Sequence, residues 1–295
     1  MSKIEEALKK AKQSRGDNVS PIRTVDGSSG MKSNLRELAL AISNKGVRSG
    51  IEDRRSSAKE IALMDDDLVY DSKELSELKV IYSDMADNKV ANTYRDLRTK
   101  LLNHSQGRNF VVMVTSCMFG QVSSSVTLNL SAAFSFDQSK TSLLIDCDLN
   151  NPKLDKLLGL DTNIGLTDYL ENEEVSIDSI LHKTGIKRLR MIPAGSSRET
   201  VAEYFTSQRM KEMMIDLISR YSDRFIFVDS APIPESADTR ILVELCDFVI
   251  LVVPYGRVTK NKIKEAADAI GSDKLIGVVF ADVPKVPKFN FSWFD

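Results

Sequence analysis

Nowhere in its 295 residues does this sequence carry an apolar run near the ~20 residues that span a bilayer. Its start, MSKIEEALKK, lacks the apolar core of a signal peptide. Cysteine is scarce: Cys117, Cys147 and Cys246 are widely spaced, with no CxxC pair and no histidine partner pattern. That argues against zinc and against a disulfide scaffold, and fits a reducing, cytoplasmic setting. The two histidines, His104 and His182, have no catalytic partner in sequence and read as ordinary surface or core residues. An excess of one charge is also missing, since 40 Lys and Arg against 42 Asp and Glu leave a net −2, which disfavours a strongly basic nucleic-acid binder. What remains, 42% hydrophobic and 7% aromatic, is the composition of a globular protein long enough for one large α/β domain or two small ones.

Hydrophobic density is uneven along the chain. From about residue 110, six apolar runs alternate with amphipathic stretches: FVVMVT (110–115), SLLIDC (142–147), RLRMIP (188–193), RFIFVD (224–229), DFVILVV (247–253) and KLIGVVF (274–280). Continuous apolar runs of this length mark parallel strands buried on both faces. The expected fold is therefore α/β, a doubly wound, mostly parallel sheet flanked by helices, with ligands at the carboxyl ends of the strands.

Residues 1–80 read instead as a largely flexible N-terminal extension with short docking helices. Ser2 to Glu5 forms a candidate capping box ahead of a stripe of Ile4, Ala7, Leu8 and Ala11, and Leu35, Leu38, Ala39 and Ile42 repeat the spacing. The first stripe is basic, which suits an anionic surface or a helix folded back on the domain. Residues 81–283 form the expected α/β domain, and 284–295 a tail whose Phe289, Phe291 and Trp293 alternate as in a strand, to dock on a partner's sheet edge or on its own domain.

After the first apolar run comes Thr115-Ser116-Cys117-Met118-Phe119-Gly120-Gln121-Val122-Ser123-Ser124-Ser125, opening into a helix. Strand, tight loop and hydroxyl-rich helix start are the parts of a P-loop, where backbone N–H groups and a helix N-terminus cradle phosphates. A working loop would read GxGK[ST]. Here Gly120 stands, Val122 replaces the second glycine, Ser123 replaces the lysine, and Ser124 keeps the place of a magnesium-binding hydroxyl. Two further runs end in acid: Asp146 and Asp148 after the second, Asp229 after the fourth. Carboxylates at the ends of buried strands are costly to desolvate, so three at one edge point to a shared magnesium site.

Together these segments resemble the bacterial tyrosine kinase (BY-kinase) family of polysaccharide loci, P-loop proteins related to partition and septum-placement ATPases. The likeness covers about residues 80–282 and runs through ANTYRDLRTKLL, LLIDCDLNNPKLDKLLGL, IPAGSSRETVAEYFTSQRMKEMMIDLISRYSDRFIFVDSAP and ADTRILVELCDFVILVVPYGRVT. It implies ATP and Mg2+ as cofactors. It puts Gly120, Gln121, Val122, Ser123, Ser124 and Ser125 on the nucleotide loop, Asp146, Asp229 and Ser124 on the metal, and Asp148 where the family deprotonates a substrate tyrosine. Arg95 and Arg98 fall on the family's ring-forming ExxRxxR motif, whose glutamate is here Asn92.

Three departures bear on chemistry. The loop lysine is gone, and so is the arginine after the second aspartate, replaced by Asn150 or Asn151. The seven tyrosines all precede the tail in which the family carries its phosphorylated cluster. The resulting expectation is a catalytically impaired regulatory or scaffolding subunit of exopolysaccharide synthesis or export, with nucleotide binding weak or lost. Its implied partner is a membrane chain-length-determinant (polysaccharide co-polymerase) protein or another kinase-like subunit, at the inner face of the membrane, with homo-oligomers as a further form and no nucleic acid. The rival readings are a live tyrosine kinase that recruits another cation, such as Lys153, and a partition-type surface ATPase.

Overall fold

The computed structural model of the chain describes residues 22–24, 69–85, 89–196, 201–220 and 223–283. The two N-terminal apolar stripes and the aromatic tail lie outside the described residues. All six apolar runs are strands: β2 (Val111–Ser116), β3 (Thr141–Asp146), β5 (Leu189–Ile192), β6 (Arg224–Asp229), β7 (Phe248–Pro254) and β8 (Leu275–Ala281). They pair in parallel in the order β8-β7-β2-β6-β3-β5. Short antiparallel strands flank them, β1 (Ile22–Thr24) on β8 and β4 (His182–Lys183) on β5.

Side chains alternate across a strand, so each apolar run feeds two cores. On one face Val111, Met113, Leu143, Ile145, Ile226 and Val228 meet α6 (Val201–Thr206), α7 (Gln208–Arg220), α8 (Ala237–Leu245) and α9 (Lys260–Ile270). On the other, Val112, Val114, Leu144, Phe225 and Phe227 meet α3 (Val122–Ser135). This helix is buried nearly all round, because α2 (Lys89–His104) covers the side it turns from the sheet.

Residues 69–80 also pack on this unit. Tyr70 donates its N–H to Gly185 O and its hydroxyl to Leu158 O, both at 2.8 Å. Asp71 and Glu74 form a capping box at α1 (Ser72–Glu77). Beyond it, Ile81 N donates to the Asn129 side chain of α3 at 2.8 Å, and Val80 and Ile81 are buried. His104 stacks edge-on against Phe248, and His182 Nε2 lies 2.8 Å from Ile164 O, so neither stands in a catalytic setting.

The loop after β5 is seated on the start of α5 (Leu166–Glu171), where Leu166 N and Thr167 N donate to Pro193 O and Ala194 O. A Cβ at Gly165 would stand 2.3 Å from Pro193 O and 2.6 Å from Gly195 N, both backbone atoms that cannot swing aside. Gly165→Ala is therefore expected to destabilise the domain by about 1–3 kcal/mol, read as a lowered urea midpoint at unchanged slope.

Candidate functional site

The site is built at the carboxyl edge of β2, β3 and β6. Alternation from the core positions puts Ser116, Asp146 and Asp229 on the face that carries α3. Asp146 and Asp229 are register partners on neighbouring parallel strands, and both are buried. The loop from Cys117 to Gln121 then turns the chain over this edge into α3.

Of the loop residues, Gly120 and Gln121 are exposed, Val122 and Ser125 are half-buried, and Ser123 and Ser124 are buried. Gln121 precedes α3 without capping it through its side chain. The first-turn N–H groups of α3 therefore keep their capacity for an anion, reinforced by the helix dipole. No fixed cation stands in this turn, because the position of the lysine is held by a serine. The exposed apolar Phe119, 57% accessible, tops the loop.

Asp146 is held by three backbone N–H groups, from Asp148 at 3.1 Å and from Lys153 and Leu154 at 3.2 Å. The last two donors lie at the start of α4 (Leu154–Leu158), so the chain after β3 wraps the carboxylate it has just delivered. Burial nevertheless pushes its pKa up to about 7, the backbone bonds opposing the rise and the Asp148 charge adding to it. Asp229 rises further, to about 8, through burial and the Asp146 charge, against the lowering effect of the Ser124 and Thr127 hydroxyls. Thr127 of α3 donates to Asp229 Oδ1 at 2.9 Å, while Oδ2 is buried with no hydrogen-bond partner.

That orphaned oxygen is the test of whether these residues fit a divalent cation. A buried acceptor without a donor is costly, and a hard cation would satisfy it. Among the described residues, no group of three or more His, Cys, Asp or Glu could hold a metal by itself. The expected three-carboxylate site is thus reduced, since Asp148 is taken up by Lys153, to the register pair Asp146 and Asp229; magnesium can be held by one or two carboxylates with water and phosphate oxygens. Asp229 and Asp146 would hold it with Ser124 beside them, and when bound it would neutralise charge on a transferring phosphoryl group.

Asp148, the candidate base, is not free: its Oδ2 accepts from Lys153 Nζ at 2.9 Å in a buried ion pair. The cation that a live enzyme would recruit is thus already engaged by that carboxylate. Arg95 and Arg98 lie elsewhere, on α2. Arg95 donates to Asn92 Oδ1 and Ser83 O, and Arg98 to Ala133 O, each at 2.8 Å. Ala133 belongs to the last turn of α3, the opposite end from the nucleotide loop. The cysteines are free and buried. Burial pushes the Cys117 thiol up to about 12, which leaves no reactive thiolate in the loop.

One participant, Thr127, was missed in the sequence, and Lys153 was read in a different role. Thr127 sits in a helix whose buried face extends all round, so no periodicity singles it out. Lys153 stood out as a spare cation, but its backbone N–H on Asp146 depends on a turn that no residue pattern announces.

Among the described residues, no helix is long and apolar enough to cross a membrane. No family model matches the chain. It is 32% identical over 200 residues to the tyrosine-protein kinase YwqD of Bacillus subtilis, covering 66% of this chain and 83% of that protein. To the tyrosine-protein kinase CpsD of Streptococcus agalactiae it is 27% identical over 213 residues, covering 71% and 90%. The solved VpsO kinase domain is similar at a TM-score of 0.58 and 27% identity, over 65% of this chain and 93% of that one. The kinase domain of Escherichia coli tyrosine kinase ETK shares the fold, with a TM-score of 0.61 at 17% identity over 83% and 100%. Identity at this level over most of YwqD's length, with strands, loop and aspartates as described, places the chain in the family of bacterial tyrosine-protein kinases, the BY-kinases.

Proposed function

We propose that the chain is a BY-kinase relative that has lost phosphoryl transfer and serves as a regulatory or scaffolding subunit in exopolysaccharide synthesis or export. The observation that carries this reading is the loop: Ser123, buried in the first turn of α3, stands where the phosphate-binding lysine belongs. Phosphoryl transfer rests almost wholly on positioning and charge stabilisation, so a missing fixed charge weighs on both binding and rate. The engaged Asp148 supports the same reading, since an ion-paired carboxylate is a poor base for a tyrosine hydroxyl. The retained residues Asp146, Asp229, Ser124 and Gly120 to Ser125 are the ones that would meet ATP and Mg2+, weakly.

The partner in this reading is a membrane chain-length-determinant protein or a second, active kinase-like subunit, which brings the chain to the inner face of the membrane. Arg95 and Arg98 make their hydrogen bonds within the chain, and a ring of identical subunits would have to recruit them without the motif's glutamate. A live tyrosine kinase is the second reading, favoured by the intact pair of strand-end aspartates. Calorimetry with Mg-ATP on the purified full chain tests the choice. The expected result is no saturable binding tighter than about 1 mM, and micromolar binding would contradict it.

A further inference from the structure

Lys153 touches both carboxylates at the end of β3. Its backbone N–H reaches Asp146 Oδ2 at 3.2 Å, and its ammonium donates to Asp148 Oδ2 at 2.9 Å. The ammonium and carboxylate side chains are only 10% and 4% exposed. A buried ion pair adds little net stability, because desolvating two charges offsets their attraction, so its presence here calls for a reason other than stability. The neighbouring charge supplies one. Asp146 and Asp229 face each other across adjacent strands, Asp148 follows two residues later, and the backbone turn after Asp148 returns the lysine onto the same edge.

We propose that Lys153 is a tethered counter-cation that keeps Asp148 out of divalent-metal coordination and leaves Asp229 and Asp146 as the donors a metal would meet. An ammonium is a compact point charge on a four-carbon stem, and in contact with a carboxylate it competes directly with a cation for that oxygen. Without it, Asp148 is a buried carboxylate lacking its partner, and a divalent ion is the species that relieves it. Lys153 acts through Asp148 and is a positioning residue. The inference rests on reading this edge as a metal and phosphate site, but its test needs neither nucleotide nor turnover, so it can fail while that reading stands.

The test is a titration of Mn2+ into the purified, nucleotide-free full chain, followed by electron paramagnetic resonance of the free ion. Lys153→Met is expected to bind Mn2+ at least about tenfold more tightly than the unmodified chain at low ionic strength. Lys153→Arg, which keeps the charge, is expected to behave as the unmodified chain. The double variant Asp148→Asn/Lys153→Met removes the pair as a unit and is expected to return the affinity to its starting value. Unchanged or weaker binding by Lys153→Met overturns the proposal. Should that variant fail to fold, Lys153→Gln takes its place: binding at least about tenfold tighter than the unmodified chain supports the proposal, and unchanged or weaker binding overturns it.

Discussion

Restoring the loop, Val122→Gly with Ser123→Lys, is expected to raise Mg-ATP affinity by about 10–100-fold over the unmodified chain. A lysine on a phosphate makes charge-assisted hydrogen bonds worth about 1.5–3 kcal/mol each, which is the source of that range. The geometry favours recovery, because the other parts are in place: an uncapped helix start, Ser124 in its first turn and two carboxylates below it. Val122, the first residue of α3, is changed with it so that the whole GxGK pattern of a working loop is restored. Paired calorimetric titrations of the two proteins check the result. If the restored loop binds no better than the original, the loss lies outside the loop, and the missing lysine does not explain it.

The second large effect is a dependence of stability on pH. Asp229 and Asp146 hold their protons in the folded chain up to about 8 and about 7, against 3.8 for an ordinary aspartate, chiefly because they are buried. The native state therefore keeps protons that the unfolded chain releases. Stability from this source is fully present below about pH 4 and is lost as pH rises through about 7 and 8, at up to about 1.4 kcal/mol per pH unit for each retained proton. Urea unfolding of the metal-free protein is expected to show a falling midpoint between pH 6 and pH 8. Asp229→Asn, which carries no proton to lose and can donate to its surroundings, is expected to remove about half of that fall or more. A wild-type midpoint that stays flat across the window, or an unchanged slope in the variant, would show that these carboxylates are ionised in the fold.

The six central strands were legible because an apolar run of six or seven residues buried on both faces has few other uses. β1 and β4 were not, since three and two residues are too short to carry a period, and Ile22 to Thr24 lie in a polar stretch. Residues 69–80 read as part of a flexible region on composition. Their attachment depends on single bonds from Tyr70 and on the burial of Val80, which composition does not register. At the site, Asp146 and Asp229 stood out because an acid is conspicuous at the end of an apolar strand. That they face the same helix followed only once the register was known. The pairing of Lys153 with Asp148 was hidden for the opposite reason: five residues apart in a polar turn, a lysine and an aspartate are unremarkable until the turn closes them together.

The central claim is that the frame of a tyrosine kinase persists here without its phosphoryl transfer. Its most direct test is transfer of labelled phosphate from Mg-ATP, using the full-length chain alone and with a tyrosine-bearing protein substrate. The account predicts no label on either protein above the level given by Asp146→Ala. Label on tyrosine from the unmodified chain, abolished by Asp146→Ala, would contradict it.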